Sequence, residues 1–387
     1  MPDTRHSPEI EKWLWLIRAE GVGPVLFRRL VKTLGSVDKV LGASVAQLTK
    51  VEGVGVKTAE RIARTRGQFD AVGELQAASK LGVCVICLDD PRYPAALRQI
   101  YDPPVVLYVK GSLRPEDNLA VAVVGSRRCS QYGLEQANRF AHFLAGTGFT
   151  VVSGGARGID SAAHRGALSA KGRTIVVQGC GLAHLFPPEN KELFERIAEN
   201  GAIISELPLA YEPLSENFPG RNRIIAGLAI GTLVVEASLN SGALITAQAS
   251  LDNNREVMAI PGLITNPACA GSHKLIKQGA RLIDSIEELM DALGCIGQEL
   301  KQPAARAVQE AEKATQKMLF DVSELNLSES ERKVYACFDD CPLHLEELIA
   351  LTDLPAGTIY AATVSLQLKG LVKQLAGNMF VRRLRAD

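Results

Sequence analysis

The sequence predicts an α/β protein in which a parallel, doubly wound sheet is flanked by a helical N-terminal domain and a winged-helix C-terminal domain. Short Val- and Ile-rich runs alternate with helical stretches between residues 119 and 294, as a parallel sheet requires. Two Gly-Val-Gly turns separate apolar helices before this region, and a pattern of helices with a terminal hairpin follows it. A chain of 387 residues is long enough for two or three domains.

Residues 8–75 predict a helical domain built around two similar turns. Gly21-Val22-Gly23 and Gly53-Val54-Gly55 each stand where one apolar helix ends and the next begins, which is the helix-hairpin-helix pattern. Glycine lets the backbone turn tightly and exposes amide N–H groups at a helix N-terminus, where a phosphate can bind. The same turns also let two helices pack closely, and the pattern leaves both interpretations open.

Residues 80–295 predict the sheet domain. The expected strands are Ala120–Val124, Thr150–Ser153, Thr174–Gln178, Ala202–Ser205, Thr232–Glu236 and Glu256–Ile260. Ligands of parallel sheets bind beyond the carboxyl ends of the strands, so the residues that follow each strand are the candidate binding residues.

Residues 296–325 predict a linker, and residues 326–387 predict the winged-helix domain. Its expected elements are a helix capped by Ser328, helices that begin at Leu345 and Ala356, and a hairpin of Leu371–Lys373 and Met379–Arg382 that turns at Gly377-Asn378. The third helix carries little positive charge before Lys369, so contact with a protein is at least as well supported as contact with DNA.

Charge and cysteine content exclude several classes of site. The 43 Lys and Arg balance the 43 Asp and Glu, so a nucleic-acid site must come from local clustering of basic side chains. No apolar run reaches the roughly 18 residues of a membrane span, and the polar start lacks a signal peptide, so we expect a cytoplasmic protein without membrane contact. Cys84 and Cys87 lie in a predicted buried strand and point to opposite faces, whereas Cys337, Cys341 and His344 are too few for zinc. We expect no metal and no cofactor.

Glycine- and arginine-rich stretches follow the first two strands of the parallel series. Gly125-Ser126-Arg127 comes first, and the second stretch consists of Ser153, Gly154, Gly155, Ala156, Arg157 and Gly158. Glycines let the backbone approach a ligand and turn N–H groups towards it, and arginine forks match phosphate. Two such turns at one edge of a sheet predict a phosphate site there, with tight turns that hold no ligand as the alternative.

Two later segments add polar candidates. They are Arg221, Asn222 and Arg223 in the first segment, and Ser241, Gly242 and Thr246 in the second. The hydroxyl groups can donate to a phosphate, and the glycine leaves the path of approach open. For the two arginines, a salt-bridged surface is the alternative interpretation.

No catalytic set emerges from the carboxylates. Asp160 and His164 lie one helical turn apart and could form an acid–base pair, but an Asp that caps the helix beside a packed His is the favoured interpretation. Glu236 could orient a ligand or hold a neighbouring loop through backbone N–H groups. The Gly-x-Gly-x-x-Gly fingerprint and the P-loop are both absent from the sequence. We therefore expect a protein that is not an enzyme.

The motifs of the sheet domain resemble those of the DNA-processing protein A family (DprA, also called Smf). The matching segments are Asp90-Pro91-x-Tyr93-Pro94, Val123–Arg127, Ser153–His164, Phe218–Leu228, Glu236-Ala237 and Ser241–Ala247. The resemblance implies an extended Rossmann-like domain that binds single-stranded DNA. It also implies a homodimer that protects incoming strands in natural transformation, helps to load RecA and has no established catalytic role.

Carried over by position, the resemblance implies that the DNA backbone is held by Arg127, the Ser153–Gly158 loop, Arg221, Arg223 and the Ser241–Gly242 turn. Many members have a basic residue just after the pair that here is Phe186-Pro187. This chain has Pro188 there, so either Lys191 substitutes for that residue or the contact is absent. His273 stands where an Asn is common.

Two other functions stay open on the sequence alone. An enzyme that binds or hydrolyses nucleotides on a related α/β fold would use Glu236 or Asp160 as its active carboxylate. An interaction scaffold would instead bind proteins through its terminal domains and leave the pocket unused.

Overall fold

The computed structural model of the chain describes residues 6–294, 327–338, 343–352, 354–369, 371–375 and 379–382. It divides into two compact units, Met1–Ala311 and Glu312–Asp387. The predicted linker at 296–325, Cys341 and the predicted turn at Gly377-Asn378 lie outside the described residues.

The first unit begins with six helices. They are α1 (Ile10–Ile17), α2 (Pro24–Leu34), α3 (Val37–Gly42), α4 (Val45–Leu48), α5 (Val56–Thr65) and α6 (Ala71–Lys80). Gly21 and Gly53 both adopt φ of 84°, in the left-handed region that glycine enters without steric cost, so each predicted turn has its glycine where the backbone needs it. Leu14, Phe27 and Ile62 are buried between these helices, and the same core continues onto the sheet.

The sheet of the first unit has nine strands in the order β1-β2-β6-β5-β4-β3-β7-β8-β9. They are β1 (Val83–Cys87), β2 (Val106–Gly111), β3 (Ala120–Val124), β4 (Thr150–Ser153), β5 (Thr174–Val177), β6 (Ala202–Ser205), β7 (Gly231–Val234), β8 (Glu256–Ala259) and β9 (Arg281–Leu282). Neighbouring strands pair in parallel throughout the run β6-β5-β4-β3-β7-β8-β9, which confirms the predicted parallel sheet. β1 and β2 extend it in antiparallel pairing, with β2 on β6.

Helices cover both faces of this sheet. They are α7 (Ala95–Arg98), α8 (Gln131–Gly146), α9 (Ile159–Ser169), α10 (Lys191–Asn200), α11 (Asn217–Leu228), α12 (Gly242–Asp252), α13 (Ala270–Lys277) and α14 (Ile286–Ala292). Phe140 of α8 and Leu289 of α14 share one core cluster, whereas Ile225 of α11 and Ala247 of α12 share another. Because the central strands are buried on both faces, their sequences are continuous apolar runs.

Cys84 and Cys87 occupy β1, where Cys84 belongs to one core cluster and Cys87 to another. The structure therefore confirms that their side chains point to opposite faces. In the parts of the chain that the structure describes, no cluster of His, Cys, Asp and Glu could hold a metal ion. Nor does any described helix have the length and apolarity to cross a membrane.

The second unit has the elements of a winged helix. They are α15 (Glu329–Ala336), β10 (Leu343–His344), α16 (Leu345–Thr352), α17 (Ala356–Leu368), β11 (Val372–Leu375) and β12 (Met379–Arg382). Ser328 and Glu331 form a capping box at the start of α15, as the Ser-Glu spacing predicts. β12 pairs antiparallel with β10 and β11, and Val334, Ile359 and Phe380 lie in the core.

Candidate nucleic-acid interface

The loops that follow β3 and β4 lie side by side at the carboxyl edge of the sheet. The amide of Ile159, the first residue of α9, donates to the carbonyl of Ser126 at 3.3 Å. This bond places the segment that carries Arg127 beside the segment that carries Arg157. Both side chains are exposed. The structure thus brings together the two arginine-bearing turns that the sequence places at one edge.

Arg127 and Arg221 face the same aromatic ring. The Arg127 guanidinium carbon lies 5.2 Å from the centroid of Phe218, and that of Arg221 lies 5.7 Å from it. Phe218 is half-buried in the first turn of α11. Two guanidinium groups at cation–π distance from one ring form a compact positive cluster.

Arg221 carries a buried positive charge. Its side chain lies beneath the β4 loop, where Nη1 donates to the carbonyl of Gly154 at 2.8 Å and to that of Val177. Its Nε has no hydrogen-bond partner. Burial lowers the pKa of Arg221 to about 10, and the nearby charge of Asp160 acts in the opposite direction. The group therefore stays protonated at neutral pH.

Most of the β4 loop serves internal contacts, in contrast to the expected direct contact with a ligand. Ser153 is buried and donates its hydroxyl to the carbonyl of Val123 at 2.6 Å, so that hydroxyl is engaged inside the sheet. Gly154 and Gly155 are also buried, because side chains from below pack directly against them. Ala156 and Gly158 are half-buried, so the outward-facing part of the loop is Ala156–Gly158.

The segment after β5 braces this loop. Asn190 is buried and its Nδ2 donates to the carbonyl of Gly155 at 3.0 Å and to Oγ of Ser161 at 2.8 Å. Lys191, the next residue, begins α10 with an exposed side chain. The loop and Lys191 thus share one edge. Arg157 forms an ion pair with Glu189, and both side chains are exposed, so this pair contributes little and can open.

Arg223 is held by carboxylates, in contrast to Arg221. In α11 the two arginines are two residues apart and point about 160° away from each other around the helix axis, so they face different neighbours. Arg223 pairs with Glu206 and with Asp102, whose Oδ2 lies 3.1 Å from its Nε. These two ion pairs support the alternative interpretation, in which Arg223 is a salt-bridged arginine.

The α12 turn lies at the same end of the sheet. Asn222 is buried and its Nδ2 donates to the carbonyl of Gly242 at 3.2 Å, which ties α11 to this turn. Ser241 caps α12 by accepting from the amide of Ala243, and Gly242 is exposed with open space around it. Thr246 is buried one turn later, and its carbonyl accepts from the hydroxyl of Ser250 at 3.1 Å.

The three carboxylate and imidazole candidates all have internal partners. Asp160 accepts from the amide of Ala156 at 3.3 Å, and burial raises its pKa. Nδ1 of His164 lies 2.7 Å from Oγ1 of Thr174, and burial lowers the pKa of His164 to about 3. An imidazole that stays neutral and bonds elsewhere does not form the acid–base pair with Asp160.

Glu236 holds the loop that carries Arg127. Its carboxylate accepts from the amide of Ser130 at 3.1 Å and from Oγ of the same residue at 2.7 Å. Its carbonyl accepts from the amide of Ser126 at 2.7 Å. The side chain is buried, so Glu236 fixes the loop, which was one of its two sequence interpretations.

Sequence reasoning missed Phe218 and Asn190. Phe218 stands three residues before Arg221, a spacing that places both on one face of a helix. Recognition of the 217–228 segment as a helix would have identified this pair. Asn190 gave no such signal, because its partners, Gly155 and Ser161, are distant in sequence.

Sequence models of known families match all three regions. The model of DNA recombination-mediator protein A matches residues 84–294, and a SAM-like helix-hairpin-helix tandem matches residues 15–65. The DprA winged helix domain matches residues 321–378. These matches confirm the three predicted kinds of domain.

Similar proteins cover between about half and nearly all of the chain. Protein Smf of Synechocystis is 36% identical over 390 residues, which cover 96% of this chain and 98% of that protein. DNA processing protein DprA of Bacillus subtilis is 39% identical over 57% of this chain and 74% of its own length. The X-ray structure of DprA from Streptococcus pneumoniae, 33% identical, aligns with a TM-score of 0.65 over 75% of this chain and 98% of that one. The chain therefore belongs to the DNA recombination-mediator protein A family.

Proposed function

We propose that this recombination mediator binds single-stranded DNA at the exposed loops that follow its parallel strands. The contact surface is the cationic edge, defined as Arg127, Arg157, Lys191 and Arg221. Phosphates of an unpaired strand would bind to the exposed side chains of Arg127, Arg157 and Lys191, above the buried charge of Arg221. The Ser241–Gly242 turn lies at the same end of the sheet. Such contacts go to the DNA backbone and give binding without base specificity.

The observation that carries this proposal is the pair of arginines on Phe218. Within the described residues, neither Arg127 nor Arg221 has a carboxylate at ion-pair distance. The charge of Arg127 is one cause of the lowered pKa of Arg221, so the two cations repel each other. An anion bound beside both would relieve that repulsion, and a phosphate matches the guanidinium forks.

Family membership supports the wider role. We propose that the chain acts in the cytoplasm as a homodimer, protects incoming strands in natural transformation and delivers them to RecA. We also propose that it is not an enzyme, since Asp160, His164 and Glu236 are all engaged in internal hydrogen bonds.

A titration with fluorescent oligo-dT at several salt concentrations tests the proposal. We expect tight binding that weakens as salt rises, because bound phosphates release counterions in proportion to the contacts made. Absence of binding at low salt would contradict the proposal. Release of a free base or of phosphate from a nucleoside monophosphate by the purified protein would instead favour a nucleotide-hydrolysing enzyme.

A further inference from the structure

A second basic surface lies on the N-terminal helices. A groove of about 630 Å³ opens between α2 and the loop that joins α7 to β2. Arg28, Arg29 and Lys32 of α2 line one side, and Tyr101 lines the other. None of the four residues of the cationic edge lines this groove, and neither do the glycines of the two helix-hairpin-helix turns.

The charge of the groove favours an anionic occupant. Arg28 and Lys32 are four residues apart on α2, so they lie on the same face of that helix, and both are exposed. Among the described residues, no carboxylate lies at ion-pair distance from them or from Arg29. Asp89 is the single acidic residue in the lining, against three cations.

The aromatic residues of the groove favour nucleic acid over an acidic peptide. The ring of Tyr101 stands at the rim with 74% of the residue exposed, and Nη1 of Arg28 donates to its carbonyl at 3.1 Å. Behind it, the half-buried Trp13 stacks on the buried Phe27 with ring centroids 5.1 Å apart, so Tyr101 is the exposed ring of the groove. An exposed aromatic ring beside cationic side chains is a feature of sites that bind single strands, because a base stacks on the ring while phosphates contact the charges.

We propose that this groove binds a second segment of single-stranded DNA, with Arg28 and Lys32 on phosphates and Tyr101 against a base. The inference rests on the proposed function, because it extends the path of the same strand. Asp102, next to Tyr101, pairs with Arg223 of α11, and the first turn of that helix carries Phe218. One helix thus connects the groove to the cationic edge.

The test compares two fluorescein-labelled oligo-dT probes on the full chain, one of six nucleotides and one of thirty. The variants are Arg28→Ala with Lys32→Ala, and Tyr101→Ala alone. Lys50→Ala with Arg61→Ala is the matched control, because it removes two exposed charges of the same domain outside the groove.

We expect the first double variant to weaken binding of the long probe about tenfold and to lower its salt slope by about 1.4, the value for two lost phosphate contacts on a single strand. Tyr101→Ala should weaken the long probe without changing the slope, because stacking involves no counterion release. The short probe and the control should behave as in wild type.

Unchanged binding of the long probe in the first double variant overturns the inference, and so does an equal loss in the control. A fluorescein-labelled poly-glutamate peptide is a further arm. If it binds more tightly than the long probe and loses affinity in the first double variant, the groove takes an acidic protein segment instead. Failure of the proposed function has a different signature, in which Arg127→Ala leaves both probes unaffected.

Discussion

Gly154 lies directly against the guanidinium of Arg221. Its carbonyl accepts from Nη1 at 2.8 Å, and a methyl group added at Gly154 would stand 2.6 Å from Nη2. The same guanidinium donates to the carbonyl of Val177, so Arg221 joins the β4 loop to the end of β5. The position of the buried charge therefore depends on the absence of a side chain at Gly154.

Gly154→Ala should displace Arg221 and weaken oligo-dT binding. Because the added methyl overpacks a buried site, we expect the free energy of unfolding to fall by about 1–3 kcal/mol. Anisotropy titration and thermal denaturation measure the two effects. Gly220→Ala is the matched control, since a methyl group there meets nothing within 4 Å and alanine is the better helix former. Wild-type affinity in Gly154→Ala would show that the position of Arg221 does not matter.

Arg223→Ala should lower stability without changing affinity for oligo-dT. The substitution leaves the carboxylate of Glu206 without its arginine, and burial already raises the pKa of that group. We expect a loss of about 1–3 kcal/mol in the free energy of unfolding, measured by urea denaturation. A large loss of DNA affinity in a variant that remains folded would return Arg223 to the binding site.

Glu236→Ala should destabilise the loop that carries Arg127. The amide and hydroxyl of Ser130 lose their acceptor, which costs about 1–3 kcal/mol of unfolding free energy. Glu236→Gln keeps one acceptor oxygen and should lose less. Thermal denaturation shows whether Glu236→Ala is less stable than Glu236→Gln. Equal stability of wild type and Glu236→Ala would contradict the role of Glu236 in holding the loop.

His164 should make stability depend on pH below neutrality. Burial, followed by the charges of Arg221 and Arg165, lowers its pKa from 6.5 to about 3. Between these values the unfolded chain binds a proton that the folded chain does not, so stability falls as pH decreases from 6.5 towards 3. His164→Asn removes this titration.

Urea denaturation of both proteins at pH 7 and pH 5 isolates the contribution of His164. The free energy of unfolding of wild type should fall by about 2 kcal/mol more than that of His164→Asn between these pH values. A difference between the two proteins that stays constant would show that His164 titrates normally in the folded state.

Strand positions could be predicted because the central strands are buried on both faces. Ala120–Val124, Thr150–Ser153 and Ala202–Ser205 are where their apolar runs predict them. At the margins of the sheet, β1 could be predicted from its apolar run, but β2 and β9 could not. β2 follows a Pro-Pro turn in a segment that reads as a connection, and β9 has two residues, too few for a periodic pattern.

The location of the candidate site could be predicted from the sequence, but side-chain directions could not. Arg221 and Arg223 look equivalent around Asn222, and only the helical geometry of α11 separates a buried cation from a salt-bridged one. Ser153 looks like a ligand donor because it ends a strand, yet its hydroxyl donates to the carbonyl of Val123 in the neighbouring strand β3. The direction of each of these side chains depends on contacts between segments that are distant in sequence.

Binding of oligo-dT by Arg127→Ala, beside wild type and Arg165→Ala, tests the central claim most directly. Arg165 is exposed on α9 and provides the matched loss of one charge. Loss of a charge-assisted phosphate contact should cost Arg127→Ala about 1–3 kcal/mol of binding free energy, roughly 5- to 150-fold in Kd, with a smaller salt slope. Arg165→Ala should bind as wild type does. Equal affinity of Arg127→Ala and wild type at every salt concentration would contradict the assignment of the cationic edge to DNA.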